Sequence, residues 1–159
     1  KMRLITAAAV LGVLGVLAGC SGSTEDVRIT LCKNLTTSLL PAGSSIEWTG
    51  NQNTFNRPSY AVTGLTFDVT DRDGKRKSMT SACHYAYEAL EDTAVQLANP
   101  LDAYATLPFA MSLDGSVLTD TQLLRTVNEE QKRLGRKAVA TLEQGARDMA
   151  DKIRAGMGQ

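Results

Sequence analysis

The chain carries one histidine, one tryptophan and three cysteines in 159 residues. A single histidine, His84, excludes a histidine-rich metal site. It also makes any Ser-His-Asp relay depend on that one residue, and no G-x-S-x-G turn accompanies it. There is no C-x-x-C pair, no glycine-rich phosphate loop and no internal repeat. Neither charge is in excess, with 17 basic and 17 acidic residues. No basic patch stands out before the last helical stretch, so nucleic-acid binding has no electrostatic support. The longest run of apolar and small residues, Ile5 to Leu17, is about thirteen residues, short of the roughly 20 that span a bilayer.

What is present begins at that run. Lys1 and Arg3 precede it, Leu17-Ala18-Gly19-Cys20 closes it, and the small polar segment Ser21-Gly22-Ser23 follows. The layout of cationic start, apolar core and small-residue end is that of an exported leader. An ordinary secretory signal cut near Ala18 or Gly19 and an uncleaved membrane helix are the alternatives. With cysteine at the closing position, the segment resembles the lipobox signal peptide of bacterial lipoproteins, the type cut by signal peptidase II.

That resemblance implies residues 1–19 as a leader, residues 20–23 as a tether and a diacylglyceryl group on Cys20. The first partner is then membrane lipid, reached through acylated Cys20. Two or three acyl chains at about 0.8 kcal/mol per buried methylene hold a protein on a membrane almost permanently. A serine after the cysteine, with no aspartate there, implies sorting to the outer membrane, facing the periplasm or displayed at the cell surface. Without the leader the chain has 15 basic against 17 acidic residues, a net charge of about −2.

If Cys20 is acylated, Cys32 and Cys83 remain. An oxidising compartment favours a disulfide between them, the other reading being two separate buried thiols. The patterning around them agrees with a bridge. Ser23 or Thr24 can cap a helix, with Glu25 and Asp26 in its first turn. Val27, Leu31, Leu35 and Leu39 form its apolar face with Cys32 beside them, and Pro41 and Gly43 stop it. Ile46 and Trp48 open a strand-like stretch, and the polar Asn51 to Pro58 reads as a loop. Tyr60 and Val62 alternate, as do Leu65, Phe67 and Val69, with Gly64 marking a bulge or change of face. Asp71-Arg72-Asp73-Gly74 is a turn signal. The return strand places Met79, Ser81, Cys83, Tyr85 and Tyr87 on one face and Arg76, Ser78, Thr80, Ala82 and His84 on the other. Cys32 and Cys83 thus both face inward.

Glu88 to Asn99 admits a short helix. Tyr104 to Leu118 reads as a loop, with room for a small hairpin at Asp114-Gly115. Thr119 or Asp120 caps a final helix to about Ala155. Its thin stripe is Leu123, Leu124, Val127, Leu134, Ala138, Leu142, Met149 and Ile153, and Gly135 invites a break. The expectation is an α+β class: residues 24–118 with an N-terminal helix disulfide-linked to a three-stranded antiparallel meander, then a long helix over 119–157. The first half of that helix packs and the second is looser, or projects to a partner. The helix-then-meander order resembles cystatin-like periplasmic domains in layout.

Three functional readings follow. One is a non-enzymatic binding or accessory module of the envelope, with a protein or glycan partner; Trp48, Tyr60, Tyr85 and Tyr87 are the aromatics that could line a groove, or else pack in the sheet. The second is a small hydrolase using Glu88, Glu91 and Asp92. The third is a surface-exclusion lipoprotein of a mobile element or phage. His84 reads as an exposed strand histidine, and the aspartate-rich turn as a plain hairpin turn, because Val69 and Thr80 stand where a calcium loop needs acids. No catalytic residue, metal ligand or cofactor is assigned.

Overall fold

The structure, a computed structural model, describes residues 25–89 and 98–157. The leader, Cys20, the tether, Ser23, Thr24, Glu91, Asp92 and most of the segment 88–99, expected as a short helix, lie outside the described residues.

Helix α1 spans Val27–Leu39. Asp26 caps it, its carboxylate accepting from the Arg28 backbone N–H at 2.8 Å, so the helix starts later than a Ser23 or Thr24 cap would place it. Glu25 instead pairs with Lys33 and with the Thr30 hydroxyl. The buried face is Arg28, Ile29, Leu31, Cys32, Leu35 and Thr36. Val27, expected on that face, is 55% exposed. Its place is taken by Arg28, whose guanidinium donates to the Tyr104 and Ala105 carbonyls.

Strands β1 (Ser45–Asn56), β2 (Tyr60–Thr70), β3 (Arg76–Ala86), β4 (Ala110–Leu113) and β5 (Ser116–Val117) form one antiparallel sheet in sequence order. The meander has five strands rather than three. Asn51 to Asn56, expected as loop, are the polar half of edge strand β1 and pair with β2 from Leu65 back to Tyr60. A bulge lies between Trp48 and Gly50. Gly64 marks neither bulge nor change of face: Ala61, Thr63, Leu65, Phe67 and Val69 all point inward along β2, and Tyr60 and Val62 point the other way. The β2–β3 turn is closed by the Asp71 carboxylate, which accepts from the N–H of Asp73 and of Lys75 at 2.9 Å each. Asp114 and Gly115, both at positive φ, make the β4–β5 turn.

Helix α1 crosses the inner face of the sheet. The Cys32–Cys83 disulfide joins it to β3 with both residues fully buried. Beside the bridge, the Thr36 hydroxyl meets the Ser81 hydroxyl at 2.8 Å and donates to the Cys32 carbonyl. Tyr85, Tyr104, Phe67, Leu35, Leu65 and Met111 fill the rest of the core. The class is α+β, with a helix stapled to an antiparallel sheet and a long C-terminal helix.

That helix, α2, spans Asp120–Met157, 38 residues or about 57 Å at 1.5 Å per residue. Thr119 and Gln122 form a capping box: the Gln122 N–H donates to the Thr119 hydroxyl and the Gln122 side-chain oxygen accepts from the Thr119 N–H. The expected break at Gly135 does not occur. The helix formers around Gly135 and Gly145 offset the roughly 1 kcal/mol each glycine costs. Leu123, Val127 and Glu130 are buried against the body, whereas Leu124 is exposed, and residues 131–149 are exposed throughout. The first eleven residues therefore belong to the body and the rest is a projecting arm. Among the described residues no helix is long and apolar enough to cross a membrane.

Candidate binding surface

The inner face of the sheet is covered by α1; the outer face is not. Register alone decides what it carries. Across the strands run the rows Thr54, Val62, His84, Ala110 and Gln52, Gly64, Ala82, Ser112. Thr66 pairs with Gly50 on one side and Thr80 on the other. Outward positions of an exposed antiparallel sheet usually bear long polar side chains. Here the middle of the face is glycine, alanine, serine and threonine, leaving a trough of about 430 Å³ lined by Gly50, Gln52, Gly64, Thr66, Ala82 and Ser112 among others. Among the described residues no lysine, arginine, aspartate or glutamate lines it.

One end of the trough is aromatic. His84 lies one outward row beyond Ala82, with its ring 5.8 Å from Tyr60 and 6.1 Å from Phe109; Tyr60 and Phe109 are 6.4 Å apart. Phe109 is 54% exposed, an apolar ring in water beside a groove. His84 is therefore half-buried in a three-ring cluster rather than standing alone on a polar strand face. The other end is ionic. Arg76 pairs with Asp68 at 2.6 Å and Glu47 at 2.8 Å. The Ser78 hydroxyl and Arg76 hold the Asp68 carboxyl below the usual carboxylate range.

Of the aromatics expected to line a groove, none lines the trough itself, and Tyr60 joins the ring cluster beside it. Trp48 turns inward onto Phe67 at 5.1 Å, with the Lys33 ammonium over its ring. Tyr85 is fully buried, and Tyr87 packs edge-on against Tyr104. Phe109 was not singled out by the sequence, because it sits in an irregular segment with no period. Its only sequence cue is a large aromatic next to proline, which is not a binding signal.

Among the carboxylates proposed for hydrolysis, Glu88 is exposed, with its backbone N–H donating to the Ala103 carbonyl at 2.9 Å. Glu91 and Asp92 lie outside the described residues. Among the described residues no three His, Cys, Asp or Glu side chains converge in a way that could hold a metal ion. No family model, curated protein or solved structure matches the chain.

Proposed function

We propose that the chain is a lipid-anchored lipoprotein of the bacterial envelope, held to the outer membrane through acylated Cys20 and facing the periplasm, and that its body is a binding module for a neutral, hydroxylated ligand of the glycan type. The lipobox-like segment supports the anchor. The buried Cys32–Cys83 bridge suits the oxidising compartment such an anchor implies.

The observation that carries the binding reading is a trough with no charged residue among its described lining, with the Tyr60, His84 and Phe109 rings clustered on the same face from the next outward row onward. Aromatic faces offer apolar area at low entropic cost against the C–H face of a sugar ring. The Gln52 amide and the Thr66, Thr80 and Ser112 hydroxyls supply donors and acceptors without a charge to desolvate. An anionic ligand would find no cation among the described residues that line the trough.

Two measurements test the reading. Intact mass of the membrane fraction reports lipid on residue 20; an unmodified cysteine removes the anchor. Titration with neutral oligosaccharides, N-acetylglucosamine tetramer and maltotetraose, followed by amide chemical shifts, reports the trough. Saturable shifts confined to the trough-lining residues of β1, β2, β3 and β4 and to the Phe109 segment are expected, lost in Phe109→Ala and in Gly64→Val. A Cβ at Gly64 meets only the Gln52 carbonyl oxygen, at 3.6 Å, an ordinary van der Waals contact, so a side chain added there projects into the trough. Absence of saturable binding to either saccharide, or binding that survives both substitutions, overturns the assignment.

A further inference from the structure

The arm of α2 carries a second pattern, independent of the trough. Val139, Leu142, Ala146, Met149 and Ile153 recur at alternating intervals of 3 and 4 residues. That 3.5-residue period is the seam of a coiled coil, not the wider stripe of a helix packed on a globular body. The seam is bare in the folded chain: Val139 is 56%, Leu142 73%, Met149 65% and Ile153 55% exposed.

We propose that the arm pairs with the same segment of a second copy of this chain as a short parallel coiled coil. In the heptad frame Val139, Ala146 and Ile153 take position a, and Leu142 and Met149 take position d. β-branched Val139 and Ile153 at the outer a positions, with Leu142 and Met149 at d, favour two parallel strands, and Ala146 at the middle a position leaves a small central layer. A second copy in register then matches every layer with itself. Its flanks meet without repulsion. The g-to-e contacts place Gln131 of one copy by Arg136 of the other, Ala138 by Glu143, and Gly145 by Ala150, so no like charges are opposed. The small residues Ala138, Gly145 and Ala150 let the helices approach closely. The seam ends toward the body where Lys132 would take position a, which leaves the two bodies splayed from the pair.

A lipid surface fits the arm less well. Residues 131–157 contain no aromatic residue to seat at a headgroup boundary, and Glu143, Asp148 and Asp151 interrupt the seven basic residues that an anionic surface would attract.

The experiment introduces one cysteine at a time into the arm of the full-length chain in its native membrane, followed by mild oxidation. Leu142→Cys and Met149→Cys are expected to give disulfide-linked dimers several-fold more readily than Thr141→Cys and Asp148→Cys, which face away from the seam. Homodimer linkage at both 142 and 149 requires a parallel, in-register pair. Linkage at only one of them, or equal linkage at all four, overturns the proposal. Sedimentation of the detergent-solubilised chain supplies the second arm: Leu142→Asp should convert dimer to monomer without moving the melting temperature. A wild-type chain that sediments as monomer overturns the proposal.

Discussion

The Tyr85 hydroxyl donates to the Arg28 carbonyl at 2.8 Å, joining the centre of the sheet to the first turn of α1 from inside the core. Burial pushes the Tyr85 phenol well above its ordinary range, so it stays a neutral donor at any pH the fold survives. A second buried phenol, Tyr104, has no hydrogen-bond partner for its hydroxyl among the described residues and packs between Tyr87 and Phe55. The two tyrosines should respond oppositely to the same change. Tyr85→Phe leaves the Arg28 carbonyl short of a partner and should cost about 1–2 kcal/mol, while Tyr104→Phe removes an unsatisfied group and should be neutral or stabilising. Urea unfolding of both variants checks this. Equal losses would mean that the Tyr104 hydroxyl is satisfied in solution.

Asp26 should make stability fall in acid. Burial opposes its ionisation. The Asn99 amide at 2.6 Å, the Arg28 N–H and the Arg28 guanidinium outweigh that and hold the carboxyl below its usual range. A folded-state value below the unfolded one gives a contribution fully present above the ordinary aspartate range and lost as pH falls through the depressed value. Melting temperature should therefore drop below about pH 4. Asp26→Asn, which keeps a cap but cannot ionise, should flatten that part of the profile. An identical acid slope in wild type and variant would place the titration elsewhere.

Reducing the Cys32–Cys83 bridge should cost about 4 kcal/mol, because the sequence separation of 51 residues sets the loop entropy released to the unfolded chain. In a domain of this size that is a large share of total stability. Cys32→Ala with Cys83→Ala should lower the urea midpoint by the corresponding amount, and wild type in dithiothreitol should match the variant. A loss under about 1 kcal/mol would mean that α1 holds to the sheet by packing alone.

The disulfide, the β2–β3 hairpin and both helices were legible because each rests on a local periodicity that tertiary contacts reinforce. Cys32 lies in a four-residue repeat and Cys83 in a two-residue one, and both repeats point at the same interior. The second half of β1 was not legible. Asn51 to Asn56 pair through the backbone on an edge, where polar side chains are tolerated on both faces and no alternation survives. Arg28 was hidden for another reason. Its buried guanidinium is satisfied by the Tyr104 and Ala105 carbonyls, some 76 residues downstream, a partnership no local window contains. The trough was hidden by being built of small residues, which carry no signal until the register aligns Gly64 with Ala82 and Gln52.

The arm should be dispensable for folding. Glu130 is buried and held by Arg133 at 2.6 Å, and beyond that pair the exposed stretch of α2 begins. A chain ending after Leu134 keeps the ion pair and all of the buried residues of α2, so its melting temperature should stay within the range of ordinary surface changes. Leu123→Ala, by contrast, opens a cavity where α2 enters the body and should cost about 2–3 kcal/mol. Thermal unfolding of both variants separates the roles. If truncation costs as much as Leu123→Ala, the projecting half is stabilised by contacts with the body. If only Leu123→Ala is costly, twenty-odd helical residues add nothing to the stability of the chain that makes them, and their apolar stripe is there for something outside it.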